Sequence, residues 1–156
     1  MIDIEKNLKL NNINLPTPVE PIANYSPFIK SENYIFISGQ IPFVNGRLKY
    51  VGKLGKEFDI QQGQDAARLC LLNSISIAKL ALNNDLSRLE RCLKITVFVN
   101  STNNFYDQPK VADGASDLIR DLFKEKGDHA RSAVGVNSLP KNVCVEIESI
   151  FEYRIE

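Results

Sequence analysis

The chain contains one histidine and three cysteines, and neither sign of charge is in excess. Each shortage removes a class of function. A zinc site needs Cys and His at short ligand spacings, and His129 with the scattered Cys70, Cys92 and Cys144 supplies none. Acid–base chemistry between two histidines is excluded. A Ser-His-Asp triad would have to use His129, and there is no GxSxG elbow to carry its serine. No CxxC pair occurs, and an odd, widely spaced set of thiols reads as reduced core residues. Lys and Arg number 19, as do Asp and Glu. Such a balance gives no overall field to attract nucleic acid or an anionic membrane. No apolar run approaches the roughly 18 residues of a membrane span. The start, MIDIEKNLKL, lacks the apolar core of a secretory signal, so a cytoplasmic location is expected. Repeats and low-complexity tracts are missing too.

What is present fits one soluble domain of 156 residues. Residues 1–20 read as an N-terminal arm: a short amphipathic helix in IEKNLKLNN, then an extended stretch marked by prolines at 16, 18 and 21. Residues 21–156 read as the domain. YIFIS is a strand, and the turn Ser31-Glu32-Asn33 joins it to an earlier one. Asn45-Gly46, between IPFV and RLKY, is the strongest hairpin signal in the chain. Asp59 with Gln62 forms a capping box for a helix running to about Leu82, with Asn83-Asn84 as its stop. RCLKITVFVN is a strand with Leu93, Ile95, Val97 and Val99 on one face. A second helix spans about 109–126, with Pro109 in its first turn and Gly127 as its C′ residue. RSAVGVN and VCVEIESIFEYRI close the chain as strands, separated by a turn at 138–142. Two long helices can cover only one face of such a sheet. The opposite face, including Phe98 and Ile150, is left for solvent or a partner.

Arg131 opens a strand that is otherwise small and apolar. Alternation puts Arg131, Ala133 and Gly135 on one face, so a cation looks along a floor of tiny side chains. Guanidinium is a permanently charged fork of donors that matches a carboxylate. Glu146, Glu148 and Glu152 share a face of the final strand. On the residues alone, Arg131 pairs either with one of these glutamates or with an anion from outside. His129, in the polar stretch KEKGDHA, reads as a solvated loop residue.

SGQIP (38–42), KITVFVNSTNNF (94–105), ARSAVGVNSLPKNV (130–143) and VEIESI (145–150) together resemble the reactive intermediate deaminase family, also called the YjgF or L-PSP endoribonuclease family. The resemblance spans about 130 residues. It implies an α+β, chorismate-mutase-like fold, with a mixed β-sheet and two long helices packed on one face. It also implies a homotrimer with sites in clefts between subunits. Arg131 looks like the family arginine that grips the substrate carboxylate, and Glu146 like the acidic residue that holds or activates water. Tyr25, Ser38, Gly39 and Ala133 match residues lining the cleft. The segment FYDQPKVADGASDL carries extra residues where the family places a pocket asparagine, and Asp113 is a candidate for that position. The activity implied is hydrolysis of reactive 2-imino or enamino acids to 2-keto acids and ammonia. It needs no metal, cofactor or covalent nucleophile. The alternatives are a trimer that captures small carboxylates without turnover and, less favoured by the charge balance, an endoribonuclease or translation inhibitor.

Overall fold

In a computed structural model, residues 3–19 and 24–155 are described. Helix α1 (Ile4–Leu10) is capped by the Asp3 carboxylate, which accepts from the Lys6 amide. Strands β1 (Phe28–Ser31) and β2 (Tyr34–Gln40) form an antiparallel hairpin in which Ser31 faces Tyr34. A separate two-stranded ribbon, β3 (Phe43–Val44) and β4 (Arg47–Leu48), turns at Asn45 and Gly46. Both turn residues have positive φ, 52° and 77°. This is the backbone that Asn-Gly signals in a two-residue hairpin.

Helix α2 (Ile60–Ala81) starts at the expected capping box: the Gln62 amide donates to Asp59, and the Asp59 amide donates to the Gln62 side chain. It ends where Asn83 and Asn84 take left-handed φ values. Strand β5 (Leu89–Asn100) leads to α3 (Gln108–Phe123), then β6 (Ala130–Val136) and β7 (Val145–Tyr153). Helix α3 stops earlier than the expected end. The break is at Lys124, whose φ is 51°, followed by a tight turn over Lys124–Lys126. Gly127 has φ −77° and is not the left-handed C′ residue.

The main sheet has the order β1-β2-β7-β5-β6, with β5 and β6 parallel and the other neighbours antiparallel. Ile35, Ile37, Ile95, Val97, Val99, Val145, Ile147 and Phe151 are buried in one core cluster with residues of α2 and α3. The arm belongs to that core, since Ile4 and Leu8 are buried in it. The Asn7 amide group donates to the Leu122 carbonyl at 2.7 Å, and Ser76 donates to the Pro16 carbonyl at 2.8 Å. The boundary drawn at residues 20–21 lies outside the described residues. The other sheet face carries Phe36, 42% exposed, and Val134, 44% exposed, beside half-buried Phe98 and Ile150. No helix among the described residues is long and apolar enough to cross a membrane.

Candidate active site

Two groups of side chains form, on opposite faces of the sheet. The first is on the open face. The register of β2 against β7 shifts between Ile37 and Gln40, and this irregularity presents Ser38 and Gly39 near the start of β7. Ser38 is stitched to the preceding segment: its hydroxyl donates to the Ser26 carbonyl at 2.7 Å and its amide to the Pro27 carbonyl at 3.0 Å. Tyr25, one residue before Ser26, is 55% exposed. Glu146 stands opposite Phe98 in the β5–β7 register, between helix-facing Val145 and Ile147. Its carboxylate lies over Gly39. A Cβ built on Gly39 would sit 2.0 Å from Glu146 Oε1, so the missing side chain is what makes room. Tyr25, Ser38, Gly39 and Glu146 thus share one region.

Burial pushes the Glu146 carboxyl above the ordinary carboxylate range, and the neighbouring Glu148 charge adds to the effect. A carboxyl whose folded-state affinity for a proton is raised binds more protons folded than unfolded. Its charged form therefore weakens the fold as pH climbs through the raised value. Glu146→Gln is expected to raise the melting temperature at neutral pH. The gain should fade once pH falls below the ordinary carboxylate range. Calorimetry across that window checks this, and a variant that melts lower at neutral pH contradicts it.

The second group is on the helix-covered face, at the edge strand. Arg131 lies opposite Ile95 in the parallel register. Its Nη1 donates to Asp113 Oδ1 at 2.8 Å and to Ser116 Oγ at 3.1 Å. Asp113 and Ser116 are three apart on α3 and share a helix face. Of the two alternatives, the glutamate partner is therefore corrected: the counter-charge comes from the helix, because Arg131 and the β7 glutamates point to opposite sides of the sheet. Ala133 is half-buried beside Val97, packed against the core.

The position of α3 rests on Gly114. A Cβ there would lie 2.2 Å from the Gln64 carbonyl oxygen of α2, so the two helices touch backbone to backbone. That contact fixes Asp113 and Ser116 under Arg131. The connections around β6 and β7 are held by Asn100, which is fully buried. Its side-chain amide donates to the Val143 carbonyl at 3.1 Å and to Asn142 Oδ1 at 3.2 Å. The Lys53 ammonium donates to Asn100 Oδ1 at 2.7 Å and to the Asn137 carbonyl at 2.6 Å.

His129 is not a solvated loop residue. It is half-buried, Nδ1 lies 2.8 Å from the Gly127 carbonyl oxygen, and Nε2 lies 2.9 Å from Ser116 Oγ. The sequence carried the signal: His129 is two residues before Arg131, so strand alternation places it on the same face. Ser116 had no such mark.

The thiols are inert. Cys70, Cys92 and Cys144 are free and buried. Burial pushes Cys92 and Cys144 up to about 12 and raises Cys70 well above the ordinary thiol range. Among the described residues, no cluster of three or more His, Cys, Asp or Glu is placed to hold a metal ion. A pocket on the open face, lined by Phe36, Lys94, Thr96, Glu148 and Ile150 among others, takes in neither Arg131 nor Glu146.

The chain is 41% identical over 150 residues to Protein TCP17 of Trypanosoma cruzi, covering 96% of this chain and 93% of that protein. It is 30% identical over 139 residues to the 2-iminobutanoate/2-iminopropanoate deaminase of Dermatophagoides farinae, covering 88% and 92%. Its structure superposes on that of the protein Atu1372 from Agrobacterium tumefaciens, of unknown function, with a TM-score of 0.90. The identity there is 42%, over 97% of this chain and 92% of that one. Residues 5–151 match the family model described as "YjgF/chorismate_mutase-like, putative endoribonuclease". With sheet order, helix layer and nearly full-length matches in agreement, the chain belongs to the YjgF family and has its chorismate-mutase-like fold.

Proposed function

We propose that this protein hydrolyses reactive 2-imino acids, and the enamines that tautomerise to them, giving 2-keto acids and ammonia. The reaction takes place in a cleft completed by a second copy of the chain within a homotrimer. The observation that carries this reading is the separation of the two groups. An anion-binding arginine and a proton-active carboxylate on opposite faces of one sheet cannot meet on a single substrate in one subunit. They meet if the edge strand of one copy faces the open sheet of another. The exposed apolar residues on that open face, Phe36 and Val134, are the surface such packing would bury. The name of the Dermatophagoides farinae relative supports the substrate class.

The chemistry asks little of the residues. A protonated imine is already electrophilic, so orientation and proton handling dominate. Arg131 holds the substrate carboxylate. Glu146 in its ionised form accepts a proton from water as the oxygen adds to the imine carbon. The resulting carbinolamine takes that proton on nitrogen and collapses: its hydroxyl proton passes to the regenerated Glu146 carboxylate as the C=O bond forms and the C–N bond breaks, releasing ammonia. A carboxyl held above its ordinary range suits both halves of the exchange. Tyr25 and Ser38 close the pocket, and the small Gly39 and Ala133 leave space for the substrate. The steps need no redox partner, and buried, reduced thiols suit a cytoplasmic setting.

The test generates 2-iminopropanoate from serine with a pyridoxal-phosphate dehydratase and follows ammonia release with and without this protein. Release faster than the spontaneous rate is expected, together with a light-scattering mass of three chains at micromolar concentration. No acceleration sinks the activity. Pyruvate binding without acceleration would leave carboxylate capture as the function, and a monomeric mass sinks the shared cleft.

A further inference from the structure

The only histidine of the chain sits in a relay that ends on Arg131, and nothing in the proposed hydrolysis uses it. Its chemistry can be followed atom by atom. The Gly127 carbonyl oxygen can only accept, so Nδ1, 2.8 Å away, carries a proton. In neutral imidazole the other nitrogen is then an acceptor. Nε2 therefore accepts a hydrogen bond from the Ser116 hydroxyl across 2.9 Å. With its proton committed to His129, Ser116 Oγ presents lone pairs to its other neighbour, Arg131 Nη1, at 3.1 Å. Asp113 takes the same Nη1 at 2.8 Å.

Both contacts thus fall on one nitrogen of the guanidinium. Among the described residues, Nη2 and Nε make no hydrogen bond. These two form the side edge of the fork, which can bind a carboxylate bidentately. Arg131 retains 26% side-chain exposure, enough for a ligand to reach that edge. A freely rotating arginine would lose side-chain entropy on gripping a ligand. One held by Nη1 has lost much of it beforehand. Asp113 alone does not set the orientation, because it is itself 48% exposed. Ser116 is buried, with 6% of its surface exposed, and gives the fixed second point.

We propose that His129, acting through Ser116, is a positioning residue: by fixing the direction of the Ser116 hydroxyl it holds Arg131 with its Nη2/Nε edge open to a 2-keto or 2-imino carboxylate. The inference rests on Arg131 being the carboxylate anchor of the proposed reaction.

The experiment measures pyruvate affinity by calorimetric titration for the parent, Ser116→Ala, His129→Ala and the double variant, each with a thermal melt. Because there is one histidine, nitrogen-15 spectra of the imidazole are read without assignment. The ligand-free parent should show protonated Nδ1 and hydrogen-bonded Nε2. Ser116→Ala should shift the Nε2 signal. Each single variant should bind pyruvate roughly five- to ten-fold more weakly, the effect of one hydrogen bond. The double variant should be no worse than either, because the two side chains act in series. Equal affinity in the parent and His129→Ala overturns the inference while leaving the deaminase reading intact, as does protonated Nε2 in the neutral imidazole. Additive losses in the double variant overturn it too. A parent that binds no pyruvate and hydrolyses no imine removes the anchor reading itself, and this inference falls with it. Affinity lost only in proportion to lowered melting would assign His129 a structural role and reject positioning.

Discussion

Arg131→Ala is expected to lower kcat/KM for 2-iminopropanoate by roughly 10²- to 10⁴-fold while the protein stays folded. The two effects separate because of where the arginine is paired. A bidentate grip on a carboxylate comprises two charge-assisted hydrogen bonds, each worth about 1.5–3 kcal/mol. Their loss in the transition state accounts for the drop in rate. The cost to the fold is governed by the Asp113 pair, whose side chains are 26% and 48% exposed. Exposed pairs contribute about 0–1 kcal/mol, against roughly 3–5 kcal/mol for breaking a buried one. The melting temperature should therefore fall by no more than a few degrees. Arg131→Lys keeps the charge without the fork, so it should restore the melt and leave most of the rate loss. The measurements are an ammonia-release assay and a thermal melt on all three proteins. Parent-like turnover in Arg131→Ala refutes the assignment; a collapse in stability with both substitutions would make the arginine structural.

The second large effect is on the fold. Gly114→Ala adds one methyl group, yet that methyl would lie 2.2 Å from the Gln64 carbonyl oxygen and 2.7 Å from Gln64 Cα. The obstacle is helix backbone and cannot swing aside, so α2 and α3 must part. Overpacking of this kind costs typically about 1–3 kcal/mol and sometimes more. Here the upper end applies, which corresponds to a melting temperature lower by roughly 10 °C. Because Asp113 and Ser116 flank this contact, carboxylate binding should weaken along with stability. A variant melting within about 2 °C of the parent would mean that the helices are not in backbone contact. Gly39 is the instructive contrast. Its built Cβ meets the end of the Glu146 side chain, which can rotate away.

The elements were legible where local chemistry fixes them. Asp59 and Gln62 announce the start of α2, Asn45-Gly46 the ribbon, and the apolar alternation of 95–99 the helix-facing side of β5; Leu93 leaves that face because the register against β7 shifts between Cys92 and Lys94, and Cys92 is buried instead. The break of α3 was not, because Lys124 at positive φ carries no residue signal, whereas Gly127 offers a false one. For the candidate site, alternation correctly grouped Arg131 with Ala133 and Gly135 and gave Glu146 a face of its own strand. It could not say that these faces are opposite sides of one sheet. That depends on β7 inserting between β2 and β5, a non-local fact. The partner of Arg131 was hidden for the same reason: Asp113 and Ser116 reach it through the packing of α3, and the Gly114 contact that sets this packing lies between residues 50 positions apart. His129 was within reach, had the alternation of β6 been carried two residues back past Ala130.

The order β1-β2-β7-β5-β6 also has a consequence for synthesis on the ribosome. Of the five strands, the one latest in sequence is the one in the middle. Until residues 145–153 have left the exit tunnel, the early hairpin of β1 and β2 and the later β5–α3–β6 unit have no hydrogen-bonded link across the sheet. Each half carries an unsatisfied strand edge during that interval, of the kind that invites pairing with another nascent chain. Closure joins segments more than a hundred residues apart, as in Tyr34 opposite Glu152. The entropy of closing that loop must be met before the central pairings form, so docking of the final strand is expected to be the slow step of folding.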